Sequence, residues 1–320
     1  MPEYYHAPPI PKAFIWRRAH SFTGLWLVLF LISHLLTNSQ AALWVGEDGQ
    51  GFVHAVNSIQ ELPYIRVIEI ILIGIPFLIH GWWGISYLLT AQYNSFQTDG
   101  SAPALPHYPL NQAYTWQRIT SWLLLVGIIA HVVHMRFIEY PLEASIGTEK
   151  SYMVTLKNDQ GLATLSQRLG FDLYSPKELE NIKNQINSQS APLLGDVPSS
   201  DDRKLLQQRK QEQQWLAALQ KHTPTEKEVV AVAKSFGMAE LLVVRESFKN
   251  PMMIILYTGL VLAACFHAFN GLWTFMISWG ITLTLRSQQL MRMVAIGLMV
   301  IITFLGLAAV WGSYWINLYY

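Results

Sequence analysis

The chain has 320 residues, 52% of them hydrophobic and 13% charged, with a formal net charge of +1. That balance describes a membrane protein carrying a polar segment, and it gives no case for nucleic acid as a partner. A single cysteine, Cys265, excludes an internal disulfide and a C-x-x-C-H attachment motif. No cleavable signal peptide is expected, because the proline-rich start "MPEYYHAPPIPKAFIWRRAH" is polar and no small-residue cleavage site follows the first apolar run.

A transmembrane helix needs about 20 mostly apolar residues. Five windows meet that length, at roughly 21–45, 63–91, 117–140, 251–280 and 290–316. A short polar loop with Glu47, Asp48 and Glu61 joins the first two. The segment "QYNSFQTDGSAPALPHYPLNQ" before the third is rich in proline and turn formers, so it reads as a loop. Residues 141–249 form a long polar insert in which "DDRKLLQQRKQEQQWLAALQ" has the pattern of an amphipathic surface helix. The expected fold is an all-α bundle of five transmembrane helices. Its segments are 1–140 (tail and three helices), 141–249 (extramembrane insert) and 250–320 (two helices).

Lysine and arginine near helix ends set orientation. Lys12, Arg17, Arg18, Arg118, Arg286 and Arg292 all fall on the cytoplasmic side if the N-terminus is inside. Arg66 and Arg136 are exceptions.

His34, His80, His131, His134 and His267 stand well inside apolar windows, and His20 lies at the mouth of the first. An unpaired polar group in a membrane costs several kcal/mol, so intramembrane ionisable residues are functional candidates, with helix bridging as the plainer role. Their depths form a pattern. At 1.5 Å per residue, His34 lies about 24 Å beyond Arg18 and His131 about 20 Å beyond Arg118, in the outer half of the membrane. His80 lies about 26 Å after Pro63 and His267 about 26 Å after Asn250, in the inner half. Two layers of two imidazoles match the axial ligation of two haems. His131 and His134 are three apart on one helix face, and periodicity does not choose between them. The fourteen-residue spacing of His20 and His34 occurs on one helix only, where bc-type cytochromes b need it on two. Gly81, Gly84, Gly127 and Gly271 give room for a flat macrocycle or for close helix packing.

Four stretches carry a family resemblance: "FIWRRAHSFTG…ISHLL", "ELPYIRVIEIILIGIPFLIHGWWG", "WQRITSWLLLVGIIAHVVHMR" and "FHAFNGLWTFMISWGITLTLRSQQ". They resemble the cytochrome b subunit of succinate:menaquinone oxidoreductases, the five-helix, two-haem membrane anchor of succinate dehydrogenase. The resemblance implies two haem b groups, with iron ligands His34 and His131 for the outer and His80 and His267 for the inner. It favours His131 over His134, because the ligand follows Gln117 by fourteen residues. It places Arg17, Arg18, His20 and Arg118 near haem propionates and the partner subunit. It further implies a flavoprotein and an iron–sulfur subunit as partners, menaquinone as substrate, no succinate site on this chain, and residence in the bacterial inner membrane with a cytoplasmic N-terminus. The reverse reaction, fumarate reduction, uses the same parts. His54, Glu61 and Glu69 are candidates for quinone protonation, with exposed loop or helix-end charge as the plainer role. The family joins its third and fourth helices by a short segment, so the insert departs from it. The rival readings are another membrane cytochrome b, or a proton or metal transporter without haem that uses intramembrane histidines.

Overall fold

The computed structural model describes residues 10–43, 47–91, 95, 105–146, 149–188, 200–221 and 224–319. The fold class holds: the described residues are 78% helical, and among them are five helices long and apolar enough to cross a membrane. These are α1 (Lys12–Ser39), α3 (Ile65–Thr90), α4 (Pro109–Ile138), α9 (Pro251–Ser278) and α10 (Leu285–Ile316). Their ends follow local chemistry. Prolines at 109 and 251 occupy the first helical position, where a missing N–H is harmless. The Asn250 side chain accepts from Met252 N at 3.0 Å. At the start of α10, Thr284 and Ser287 exchange backbone-to-side-chain hydrogen bonds, both 3.1 Å, in a capping box. α1 begins nine residues before its apolar window, so Arg17, Arg18 and His20 are helical.

The chain divides into two compact units. The first gathers Met1–Leu36, Pro63–Ala130 and Thr258–Gly306, the greater part of the apolar helices. Small residues bring these helices together. A Cβ on Gly306 would meet Val261 at 2.8 Å and Leu35 at 3.1 Å, and one on Gly127 would meet Leu260 at 2.8 Å. Indole N–H groups join helices as well: Trp273 donates to the Gln288 carbonyl at 3.2 Å and Trp279 to Ser21 Oγ at 3.2 Å.

The second unit gathers Thr37–Leu62, His131–Tyr257 and Leu307–Tyr320. Here the insert is an α/β layer that the sequence reading did not anticipate. Strands β1 (Leu142–Ile146), β2 (Glu149–Lys157), β3 (Asp172–Tyr174) and β4 (Glu228–Ala233) form an antiparallel sheet in the order β1-β2-β4-β3. Leu142, Met153 and Val232 sit side by side across three strands. Helices α5 (Gln160–Leu169), α6 (Pro176–Ser188) and α7 (Ser200–Lys221) fill the connections. The amphipathic helix expected over 201–220 is α7, which buries Leu216 and Leu219 near its C-terminal end. Leu219 joins Met153, Val230 and Val232 in a small core, each such side chain contributing about 2 kcal/mol.

Helix α8 (Phe236–Ser247) is buried along nearly its whole length. It packs on β2 and on α2 (Gln50–Gln60), a helix inside the stretch expected to be a polar loop. Asp48 (φ 52°) and Gly49 (φ 85°) turn the chain into α2. Asp48 pairs with Arg168 Nε at 2.9 Å, and its carbonyl accepts from Arg245 at 3.1 Å. Gly237 is required at the crossing: its N–H donates to Asn57 Oδ1 at 2.8 Å, and a Cβ there would stand 2.6 Å from the Val53 carbonyl oxygen.

Candidate functional site

In the first unit, α1, α3, α4 and α9 bring three histidines together. The His80 and His267 rings lie 6.2 Å apart between centroids, with planes at 86°. The His20 ring stacks on His80 at 4.1 Å and 8°. Gly24, one turn after His20, faces the same ring, and a Cβ there would meet His80 Cε1 at 2.8 Å. This glycine was missed in the sequence, where its four-residue spacing from His20 is the available signal.

The hydrogen bonds fix the tautomers. His80 Nδ1 lies 3.0 Å from the His20 carbonyl, which only accepts, so Nδ1 carries the proton and Nε2 keeps its lone pair. His267 Nδ1 lies 3.3 Å from Ser121 Oγ. That hydroxyl donates to the Gln117 carbonyl at 2.7 Å, so it accepts from the imidazole, and His267 Nε2 is free as well. A metal-ligating histidine has this arrangement, with one nitrogen donating to an oxygen and the other presented. Gln117 also donates to the His267 carbonyl at 3.0 Å and accepts from Asn270 at 2.8 Å, tying α4 to α9 beside that histidine. Residues 117, 121 and 270 enter through bonds between helices, which no single-helix pattern displays. His20 Nδ1 is buried without a hydrogen-bond partner among the described residues, as an acid group of a bound cofactor would require. The donor set and the Gly24 cradle therefore fit a group held by two axial imidazoles.

Arg17, Arg18 and Arg118 are the arginines expected at a basic rim. Arg18 donates to the Ser278 carbonyl and lies over Phe14 (4.8 Å) and Trp279 (5.2 Å). Arg118 donates to the Tyr114 carbonyl at 2.9 Å, and Arg17 is exposed. Of the four glycines read as possible room for a macrocycle, Gly127 meets Leu260 and Gly84 faces His20 Cε1 at 3.7 Å. Gly271 faces Gln117, and Gly81 faces open space.

His34 belongs to the first unit and stacks on Phe30 at 5.4 Å. His131 belongs to the second, where its Nδ1 lies 3.1 Å from Tyr257 Oη. His54 and Glu61 are exposed, on α2 and just after it, and Glu69 is half-buried in α3. Outside the membrane helices, burial pushes the Glu240 carboxyl on α8 up to about 7, opposed by Arg136.

No protein-family profile matches the chain, and no solved structure matches it. It is similar to the succinate dehydrogenase cytochrome b558 subunit of Bacillus subtilis (strain 168), 24% identical over 300 residues that span 93% of this chain and 96% of that protein. The similarity thus runs along nearly the whole sequence: the chain is a multi-pass membrane protein similar to the cytochrome b subunit of succinate dehydrogenase.

Proposed function

We propose that this chain is the di-haem cytochrome b anchor of a succinate:menaquinone oxidoreductase. The observation that carries the reading is the pair His80 and His267, with both Nδ1 atoms tied to oxygen and both Nε2 atoms presented. These two residues hold the inner haem b, and His34 and His131 the outer. Bound there, the two haems supply one-electron carriers between an iron–sulfur partner and quinone. The relative's name supports a place in a succinate dehydrogenase complex. The flavoprotein and iron–sulfur subunits dock at the cytoplasmic end, beside Arg17, Arg18 and Arg118, and the N-terminus lies on that side of a bacterial inner membrane. Residues 141–249 stay outside the membrane and supply no haem ligand.

The protein's part in the chemistry is to orient the ligands, exclude water with apolar helices and deliver protons at the outer end. His54, Glu61 and Glu69 are the proposed carriers there. A pyridine haemochrome assay of the purified chain tests the reading, with two b-type haems per polypeptide expected. One haem or none overturns it. Membranes of the His34→Ala variant, assayed with quinone and with a dye that accepts electrons from the soluble subunits, test the direction of the path. Quinone reduction should stop while dye reduction continues, and full quinone reductase activity would refute outer-side reduction.

A further inference from the structure

Helices α1 and α3 meet through a reciprocal pattern. Each carries a histidine followed four residues later by a glycine: His20 and Gly24 on α1, His80 and Gly84 on α3. A Cβ on Gly24 would meet His80 Cε1 at 2.8 Å and Nδ1 at 3.1 Å, and a Cβ on Gly84 would meet His20 Cε1 at 3.7 Å. Position 20 thus faces 84 and position 24 faces 80, as in an antiparallel pair. Each glycine leaves room for the ring of the other helix, and the two rings stack at 4.1 Å and 8°. Tyr87 meets the His20 ring edge-on at 5.3 Å.

The register of the two helices is pinned independently. Pro76 has no N–H to offer the carbonyl four residues before it, that of Leu72. The Trp26 indole of α1 donates to this carbonyl. Further along the same seam, Trp16 and Trp83 lie 5.0 Å apart between centroids. The His80 ring is therefore held by the Gly24 backbone, by the His20 ring and by its Nδ1 bond to the His20 carbonyl at 3.0 Å. Held in this way, its plane stands at 86° to that of His267.

We propose that His20 and Gly24 are positioning residues which fix the plane of the His80 imidazole across that of His267. The inference rests on the reading of His80 and His267 as ligands of the inner haem. It goes beyond that reading in giving His20 a role carried by its flat ring and in giving Gly24 a function. Axial ligands are the protein's direct hold on the electronic state of haem iron. Crossed imidazole planes make the low-spin ferric signal strongly anisotropic, and a turn away from the right angle reduces that anisotropy.

The test is Gly24→Ala and Gly84→Ala in the full chain, each read by low-temperature electron paramagnetic resonance and by redox titration of the visible bands. The wild-type haem count comes first: a wild-type chain with no inner haem refutes the proposed function itself. Gly24→Ala sets a methyl 2.8 Å from the ring. It should reduce the anisotropy of the inner haem signal and shift that haem's midpoint potential, with the outer haem unchanged. Gly84→Ala makes only ordinary contact at 3.7 Å and should leave both readouts as they are. An inner haem unmoved by Gly24→Ala, or moved equally by Gly84→Ala, overturns the proposal. If Gly24→Ala retains no inner haem, His20→Ala and His20→Phe carry the test. Removing the ring should reduce the anisotropy, and replacing it with a flat apolar ring should keep most of it. Equal anisotropy in the two variants overturns the proposal.

Discussion

Ser121 Oγ sits 3.3 Å from His267 Nδ1 and donates its hydrogen bond to the Gln117 carbonyl at 2.7 Å. The serine is therefore an acceptor for the histidine, one turn from the glutamine that also binds the His267 backbone at 3.0 Å. Outer-shell partners of this kind are worth about 10-fold or more in affinity for the bound metal group. Ser121→Ala should weaken retention of the inner haem by about 10-fold and raise its midpoint potential, and Ser121→Thr should restore both. Haem loss on dilution and a redox titration are the measurements.

The ligand pairs give a second expectation. His80→Ala and His267→Ala should each remove the same haem, and His34→Ala and His131→Ala the other. His134→Ala should leave two. Spectra of the five variants decide it, and a haem lost with His134 but kept without His131 would reverse the assignment on α4.

Gly237→Ala tests the crossing of α2 and α8. The added Cβ would press on the Val53 carbonyl oxygen at 2.6 Å, a backbone atom with no room to yield. Overpacking of this sort destabilises by about 1–3 kcal/mol. Hydrogen exchange should rise at the amides of Gln50–Gln60 while the inner haem spectrum stays unchanged, because His80 and His267 lie in the other unit.

Glu240 makes the second unit sensitive to pH. Its folded value of about 7 lies above the ordinary 4.5, so the folded state binds the proton more tightly than the unfolded one. Stability is then undiminished below pH 4.5 and falls as pH rises toward 7, by about 3 kcal/mol in all. Glu240→Gln should slow proteolysis of the insert at pH 8 and leave it nearly unchanged at pH 5. An equal effect at both values would show that the carboxyl is not held neutral.

The five apolar helices were legible because lipid leaves the backbone no option but internal hydrogen bonds, which demands long unbroken apolar runs. The residues around His80 and His267 were not. Ser121 meets His267 from another helix, and the acceptor for His80 is a backbone carbonyl of residue 20, which no side-chain pattern reveals. In the insert, "EVVAVA" is a short apolar run that periodicity alone does not separate from buried helix. The short helix α2 buries only Phe52 and Val53 and is otherwise rich in polar residues, so it read as loop.

The bond from Gly237 to Asn57 joins positions 180 residues apart. At about 5–20 residues per second of synthesis, α2 leaves the ribosome roughly 10–35 s before its partner exists. Through that interval α2 lacks the helix it packs on in the folded chain. The α2–α8 crossing is therefore timed by translation of the insert, and residues 307–320 of the same unit are still unmade when α8 arrives.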